Sequence, residues 1–209
     1  KAVRKYTDND FICFTDDSTG IDPGVICYEM YPRESEGWWA TWSKIEIFGR
    51  EEIKKYQKKI YFDLDLVIQG SITPILEHDA DWAAIECPWK GKIFRLKHPG
   101  ESIINTSVMV WKDITWIYDK WESDWKNIVR NYRGTDYWYH VNGLRPTSLP
   151  KVFYSYREGS KPSHYWVNGM KPYLQYQPDY SVCLFHQKPD IHELDKSNRL
   201  YKIWHETVS

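Results

Sequence analysis

Two aspartates interrupt an otherwise apolar run, residues 60–68, which has the strongest strand pattern in the chain. In a strand, Asp63 and Asp65 would face the same side, about 6.5–7 Å apart. Two unpaired carboxylates in a buried sheet would lose hydration at a cost of several kcal/mol, and a neighbouring cation would remove that cost. Hard carboxylate oxygens suit Mn²⁺ or Mg²⁺. The pair therefore predicts a divalent-metal site, with capping of backbone N–H groups or pairing with a lysine as the alternative.

A histidine near the C-terminus is the candidate third ligand. His186 follows a short apolar run and is followed by Lys188. A neutral imidazole is a good ligand for Mn²⁺, and the lysine could meet a phosphate. A single histidine is more often an ordinary surface or core residue, and that alternative stays open. We predict that Asp63, Asp65 and His186 meet around one ion.

The elements that must position these residues are short strands mixed with helices, which favours an α/β sheet covered on both faces. Apolar residues recur at helical spacing over 38–48 and 114–130. In the second segment Trp116, Trp121 and Trp125 fall near one face, so we interpret them as core residues. Strands are predicted at 11–14, 25–30, 60–68, 93–96, 107–111, 152–154 and 182–185.

The composition is that of a globular chain of 209 residues, with a formal net charge of −1 and 17% aromatic residues. It has no basic excess typical of nucleic-acid binding and no apolar stretch near the ~20 residues of a membrane span. No linker divides the chain, so one domain is expected. We interpret the four cysteines as reduced core thiols of a cytoplasmic protein rather than as a disulfide framework or a zinc site: Cys13, Cys27, Cys87 and Cys183.

Five motifs occur in a fixed order between residue 11 and about residue 190. They are Phe14-Thr15-Asp16-Asp17; Trp38-Trp39 with Ser43-Lys44-Ile45-Glu46-Ile47-Phe48; Tyr61-Phe62-Asp63-Leu64-Asp65; Asn105-Thr106-Ser107-Val108-Met109-Val110-Trp111; and Phe185-His186-Gln187-Lys188-Pro189. Together they resemble the small GT-A glycosyltransferases and are distantly similar to the glycogenin-like enzymes with a DxD motif. The resemblance implies a single GT-A domain over residues 1–209, with a Rossmann-like, mostly parallel central sheet and helices on both faces. The family's usual N-terminal strand and much of a helix are expected to be missing here.

This resemblance implies a nucleotide-sugar donor, most often a UDP-sugar, held through Mn²⁺ or Mg²⁺. By the same resemblance Asp63 would touch the ribose and the metal, and Asp65 and His186 would ligate the metal. Lys188 would steady the diphosphate, Lys44 would lie near the nucleotide, and Asn105 and Ser107 would lie near the donor sugar. Thr15, Asp16 and Asp17 would either flank the nucleotide or form a loop after a strand.

The family often has an Asp-Gln pair after a long helix, and this chain keeps the aspartate as Asp136 and loses the glutamine. The resemblance makes Asp136 the candidate catalytic or acceptor-binding carboxylate. An inverting enzyme would need such a general base, whereas a retaining enzyme would not need it in the same place. Similarity favours retention.

The function implied is metal-dependent transfer of a hexose from a nucleotide-diphosphate sugar to a glycan or other acceptor, with no nucleic-acid partner. Residues 132–166, rich in aromatic side chains, are the expected acceptor groove. Two alternatives stay open. A carbohydrate-binding module without catalysis would use surface Trp and Tyr rings, and a haloacid-dehalogenase-type phosphatase also begins with an Asp-x-Asp motif.

Overall fold

The computed structural model describes residues 2–31, 33–35, 38, 40–159, 176–186 and 188–208. The strands are β1 (Ile12–Thr15), β2 (Ile26–Glu29), β3 (Lys59–Phe62), β4 (Leu66–Ile68), β5 (Trp82–Glu86), β6 (Ile104–Trp111), β7 (Thr147–Ser148), β8 (Phe153–Ser155) and β9 (Val182–Leu184). The helices are α1 (Ser43–Phe48), α2 (Glu51–Lys54), α3 (Thr73–Leu76), α4 (Lys92–Lys97), α5 (Thr115–Glu122), α6 (Trp125–Asn131), α7 (Thr135–Val141) and α8 (Arg199–Val208). Short 3-10 turns lie at Val3–Lys5, Ala40–Trp42 and Ile191–Glu193.

The described strands form three sheets. Their orders are β1-β2, β3-β6-β5-β7 and β4-β9-β8. The pairs β1–β2, β5–β7 and β8–β9 are parallel, and the pairs β3–β6, β5–β6 and β4–β9 are antiparallel. The expected α/β architecture is therefore confirmed, while the strand pairing is mixed where the sequence predicts a mostly parallel sheet. Strand β6 runs against both β3 and β5, and β4 runs against β9.

Strand β6 is the centre of the core because successive side chains of a strand point to opposite faces. Met109 and Trp111 pack into the cluster that includes Trp42 of the 3-10 turn and Trp121 of α5. Val108 and Val110 pack on the other face, in the cluster with residues of β4, β8 and β9. One strand thus holds the helical layer on one side and the second sheet on the other.

A third cluster covers the far face of the second sheet. Val67, Tyr154 and Cys183, one from each of its three strands, pack with Leu200 of α8. The layers therefore follow one another as helices, first sheet, second sheet and α8. Leu200 of α8 and Ile191 of the preceding 3-10 turn share this cluster with Phe185, the residue that follows β9.

The predicted strand over 60–68 is wrong as a single element. Residues of β3 pair with β6 in the first sheet, and residues of β4 pair with β9 in the second sheet. The chain leaves one sheet and enters the other at residues 63–65, where Leu64 is 94% exposed. A continuous strand would carry two carboxylates into a packed sheet, whereas the break leaves them at its edge.

Two further elements differ from the sequence prediction. The segment 93–96 lies in helix α4 rather than in a strand. The helix predicted over 114–130 is two helices, α5 and α6, separated at Ser123 and Asp124. Serine and aspartate favour helix ends because their side chains compete for backbone hydrogen bonds; here Ser123 Oγ donates to Lys120 O at 2.9 Å.

The tryptophans of this segment also divide between core and surface. Trp121 is completely buried, Trp125 packs partly buried against the helical cluster, and Trp116 is 51% exposed. The core interpretation is therefore wrong for Trp116. Both Trp116 and Trp121 lie in α5, where five positions at 3.6 residues per turn put them on different faces of the helix.

All four cysteines are free thiols. Cys87 and Cys183 are buried, as expected, and Cys13 and Cys27 are half-buried. Over the ranges that the structure describes, no helix combines the length and the hydropathy that a bilayer span requires.

Candidate functional site

The acidic connection between β3 and β4 lies where the two main sheets meet. The Asp63 N–H donates to Ser107 O at 2.8 Å, which extends the β3–β6 pairing by one residue. Asp65 O accepts from the Phe185 N–H at 2.9 Å, at the start of the β4–β9 pairing. Asp63 is therefore anchored to the first sheet and Asp65 to the second.

The Asp63 carboxylate is held by two side chains. Lys44 Nζ of α1 donates to Oδ2 at 2.7 Å, and Tyr61 OH donates to Oδ1 at 2.6 Å. The ion pair is mostly shielded from water, since the side chains of Lys44 and Asp63 are 12% and 17% exposed. Burial and the Asp63 charge raise the pKa of Tyr61, which keeps the phenol a neutral donor. The lysine pairing left open from the sequence is thus found at Asp63.

Asp65 has less compensation than Asp63. Its side chain reaches solvent, yet surrounding protein atoms remove part of its hydration and raise its pKa. The charges of Asp63 and Asp190 raise this pKa further, and Lys44 lowers it. Negative charge therefore accumulates around Asp65.

Asp136 belongs to the same electrostatic neighbourhood. It lies in the first turn of α7 and accepts a hydrogen bond from Thr106 Oγ1 at 2.5 Å. Burial raises the pKa of Asp136, the charge of Lys44 lowers it, and the charge of Asp63 raises it. Lys90, whose ammonium donates to Ser102 O at 2.6 Å, also lowers it. The structure thus brings Asp136 near Asp63 and Lys44 from a distant part of the chain.

An irregularity in β6 shapes this edge. The β5–β6 register passes from Ala84↔Met109 to Ile85↔Asn105, so the intervening residues of β6 have no partner on β5. At the edge of that stretch, Asn105 Oδ1 accepts from the Ser107 N–H at 2.9 Å. Bulges of this kind recur next to active sites because they re-aim side chains. In this stretch Thr106 contacts Asp136, and Ser107 O accepts from the Asp63 N–H.

His186 lies one residue beyond the pairing partner of Asp65. Its ring stacks on Trp89, with centroids 5.2 Å apart, and its Nε2 is 3.2 Å from Ser155 Oγ. In the described part of the chain, the ligand atoms of Asp63, Asp65 and His186 do not all lie within 4.8 Å of one another. Their meeting around one ion stays a prediction.

The group that does satisfy this distance is Asp190, His192 and Glu193. Its acids already have partners. Asp190 and Glu193 form a capping box around the 3-10 turn, and Lys188 Nζ donates to both, at 2.5 Å and 2.6 Å. Lys188, expected to steady a diphosphate, is here engaged with these two carboxylates, whose pKa values it lowers.

The Thr15–Asp17 segment after β1 folds on itself. Thr15 Oγ1 accepts from the Asp17 N–H at 3.1 Å, and Asp17 Oδ1 accepts from the Thr19 N–H at 2.8 Å. The hydrogen bonds from Thr19 lower the pKa of Asp17, while Asp16 is exposed. The geometry fits the loop-forming alternative, and contact with a nucleotide stays a prediction.

Sequence reasoning did not single out several residues of this edge. Tyr61 could have been found, because residues i and i+2 of a strand share a face and Asp63 follows it by two. Three other residues reach the site through contacts that are distant in sequence, and no local sequence pattern predicts such contacts: Thr106, Lys90 and Trp89. Trp39, Gln187 and the part of the expected acceptor groove at 160–166 lie outside the described residues.

The arrangement of these layers is a GT-A glycosyltransferase-like fold. A solved structure of the galactosyltransferase LgtC, in complex with donor and acceptor sugar analogues, superposes with a TM-score of 0.58 over 99% of this chain and 86% of LgtC, at 13% identity. An active-site mutant of LgtC is similar, with a TM-score of 0.56 over 91% of this chain and 78% of that chain, at 14% identity. The sequence matches no family model and no curated protein.

Proposed function

We propose that this protein is a glycosyltransferase that moves a hexose from a nucleotide-diphosphate sugar, a UDP-sugar by preference, to a glycan or other acceptor. The observation that carries the proposal is the gathering of Asp63, Asp65 and Asp136 with Lys44 at one edge of a GT-A-like fold. The donor and acceptor sugar analogues bound by LgtC support sugar ligands for this fold.

A divalent ion fits the chemistry of this edge. The pKa of Asp65 is raised by loss of hydration and then by the charges of Asp63 and Asp190, so a bound cation would stabilise its ionised form. Two carboxylates with the imidazole of His186 form a donor set suited to Mn²⁺ or Mg²⁺. When bound, such an ion would stabilise the negative charge of the diphosphate leaving group.

The residues of the chain have separate tasks in the transfer. The bond between the anomeric carbon and the diphosphate breaks, and a bond to the acceptor oxygen forms. Lys44, fixed by Asp63 and lying over the Tyr61 ring at 5.5 Å, would place positive charge near the departing phosphates. Asn105 and Ser107, on the bulge of β6, would contact the donor sugar.

Asp136 would take the proton of the acceptor hydroxyl if the reaction inverts configuration. A raised pKa suits this task, because a base whose pKa approaches the working pH removes a proton more effectively. Thr106 donates to Oδ1 of Asp136, and Oδ2 would take the proton. In a retaining reaction the same carboxylate would instead orient the acceptor by a hydrogen bond.

The experiment is calorimetric titration of UDP, with and without Mn²⁺, followed by a thermal-shift screen of nucleotide sugars. We expect UDP to bind in a Mn²⁺-dependent manner and one UDP-sugar to raise the melting temperature most. Slow hydrolysis of that donor is expected without an acceptor, since water can replace it. Glycan binding with no Mn²⁺-dependent nucleotide binding would contradict the proposal in favour of a carbohydrate-binding module. Metal-dependent release of phosphate from an aryl phosphate would contradict it in favour of a phosphatase.

A further inference from the structure

Two of the four thiols occupy paired positions on neighbouring strands. In the parallel pair β1–β2, Cys13 is the register partner of Cys27. Adjacent strands lie about 4.7–4.9 Å apart, within the 4.4–6.8 Å between Cα atoms that a disulfide spans. Both residues are half-buried free thiols.

The neighbouring register pair shows that side chains meet across these strands. Phe14 and Tyr28 are partners one residue further along, and their rings stack with centroids 5.8 Å apart and an interplanar angle of 29°. Because side chains alternate along a strand, Cys13 and Cys27 face each other on the opposite side of this two-stranded sheet. Burial and the nearby Cys27 raise the pKa of Cys13, which agrees with their proximity.

We propose that Cys13 and Cys27 form an oxidation site that closes to an intramolecular cross-strand disulfide. With a small-molecule disulfide as oxidant, one cysteine thiolate attacks a sulfur of that disulfide and releases the first small thiolate. The second cysteine thiolate then attacks the mixed disulfide and releases the other. The two cysteine protons pass to the released thiolates, so the cysteines are oxidised and the small disulfide is reduced.

This bond would tie together the ends of the segment that contains Thr15 and Asp17. The loop runs from β1 to β2 and is held in the reduced protein by short-range bonds, such as Thr15 Oγ1 to Asp17 O at 2.8 Å. The inference does not depend on the proposed function, because it concerns only the two thiols and their strands.

The test is incubation of the full chain with oxidised glutathione, removal of the reagent, and counting of free thiols in denaturant. We expect the count to fall from four to two, and peptide mapping to find a link between Cys13 and Cys27. Cys13→Ser and Cys27→Ser should form no such link, whereas Cys183→Ser, the matched control, should still lose two thiols. Hydrogen exchange at residues 13–29 should slow in the oxidised protein.

A full count of free thiols after oxidation would overturn the proposal. So would separate glutathione adducts on each cysteine, or a link that joins two chains. Because peptide mapping is carried out on the unsubstituted protein, the result stands even if a serine variant folds poorly.

Discussion

Among the residues that the structure describes, two groups of side chains could hold a cation, and they differ in what surrounds them. The edge group, Asp63, Asp65 and Asp136, comes from the β3–β4 connection and from α7, and Lys44 is the cation whose charge acts on both Asp65 and Asp136. The tail group, Asp190, His192 and Glu193, lies within four residues of chain. In the tail group the short distances follow from a capping box and a shared lysine.

Close ligand atoms can arise from hydrogen bonds within a group as well as from a cation site. The ligand atoms of the tail group lie close together because Asp190 and Glu193 already share hydrogen-bond partners. Lys188 lowers the pKa of both acids and so keeps them ionised. In the edge group, two of the acids are raised in pKa by burial and by neighbouring acids. Unsatisfied charge, rather than compactness, favours the edge as the place where a ligand binds.

The largest expected effect is the loss of activity in Asp65→Ala. Removing this carboxylate should lower metal-dependent transfer by about 10²–10³-fold or more, the usual loss when one group that stabilises developing charge is removed. The fold should be kept, because the Asp65 side chain is exposed. The measurement is donor turnover with Mn²⁺, compared with circular dichroism of the same preparation.

Glu193→Gln is the matched control in the tail group and should keep most of the activity. If Glu193→Gln were inactive while Asp65→Ala turned over normally, the cation would belong to the tail group and the comparison would be reversed.

Asp136→Asn is expected to lower transfer by about 10²–10⁴-fold if this carboxylate is the general base. The same variant should be more stable than the parent near neutral pH. Burial raises the pKa of Asp136 in the folded protein, so stability is fully present at low pH and is lost as the pH rises towards that raised value. Asparagine keeps an acceptor for Thr106 without the buried charge.

Denaturant unfolding at several pH values checks this expectation. The stability advantage of Asp136→Asn should grow as the pH rises from acid to neutral. An advantage that is constant over this range would show that Asp136 titrates as it does in the unfolded chain.

Asp63→Asn is expected to reduce the free energy of unfolding by about 1–3 kcal/mol, the cost of leaving a shielded polar partner unsatisfied. The amide offers one acceptor oxygen where the carboxylate serves both Lys44 and Tyr61. Asp79→Asn removes the exposed partner of Lys112 and is the matched control; exposed pairs contribute little. Equal stability of the two variants would mean that Asp63 has no structural role.

Lys188→Met should have the smallest effect. If Lys188 turns from its two carboxylates to the diphosphate, the affinity for UDP with Mn²⁺ should fall about two- to fivefold, as expected for one exposed charge. Calorimetry measures this affinity, and the control is Lys202→Met, at an exposed position of α8. Unchanged affinity would restrict Lys188 to neutralising Asp190 and Glu193.

The sequence predicted the residues of the edge better than the elements that carry them. An acidic pair in an apolar run was enough to select Asp63 and Asp65, because buried charge needs an explanation. The same run could not show that the chain changes sheets at Leu64, since β3 and β4 have the same apolar character and differ only in their partners.

Long-range contacts account for the rest. Asp136 meets Thr106 across 30 positions of sequence. His186, which follows β9, stacks on Trp89, which follows β5 of the other sheet. The bulge in β6 depends on the register with β5, which no pattern within 104–111 encodes. Helix α4 was predicted as a strand because its short apolar stretch is compatible with either state.

The change of sheet at Leu64 gives the two neighbouring aspartates independent anchors. The single residue between them limits their separation, and the relative orientation of the two anchors depends on how the sheets pack through side chains such as Val108 and Leu184. Heating or a cavity in that distant interface would thus pull the pair out of alignment first. Loss of activity at a temperature below the melting transition would indicate that the packing of the two sheets sets the alignment of the two aspartates.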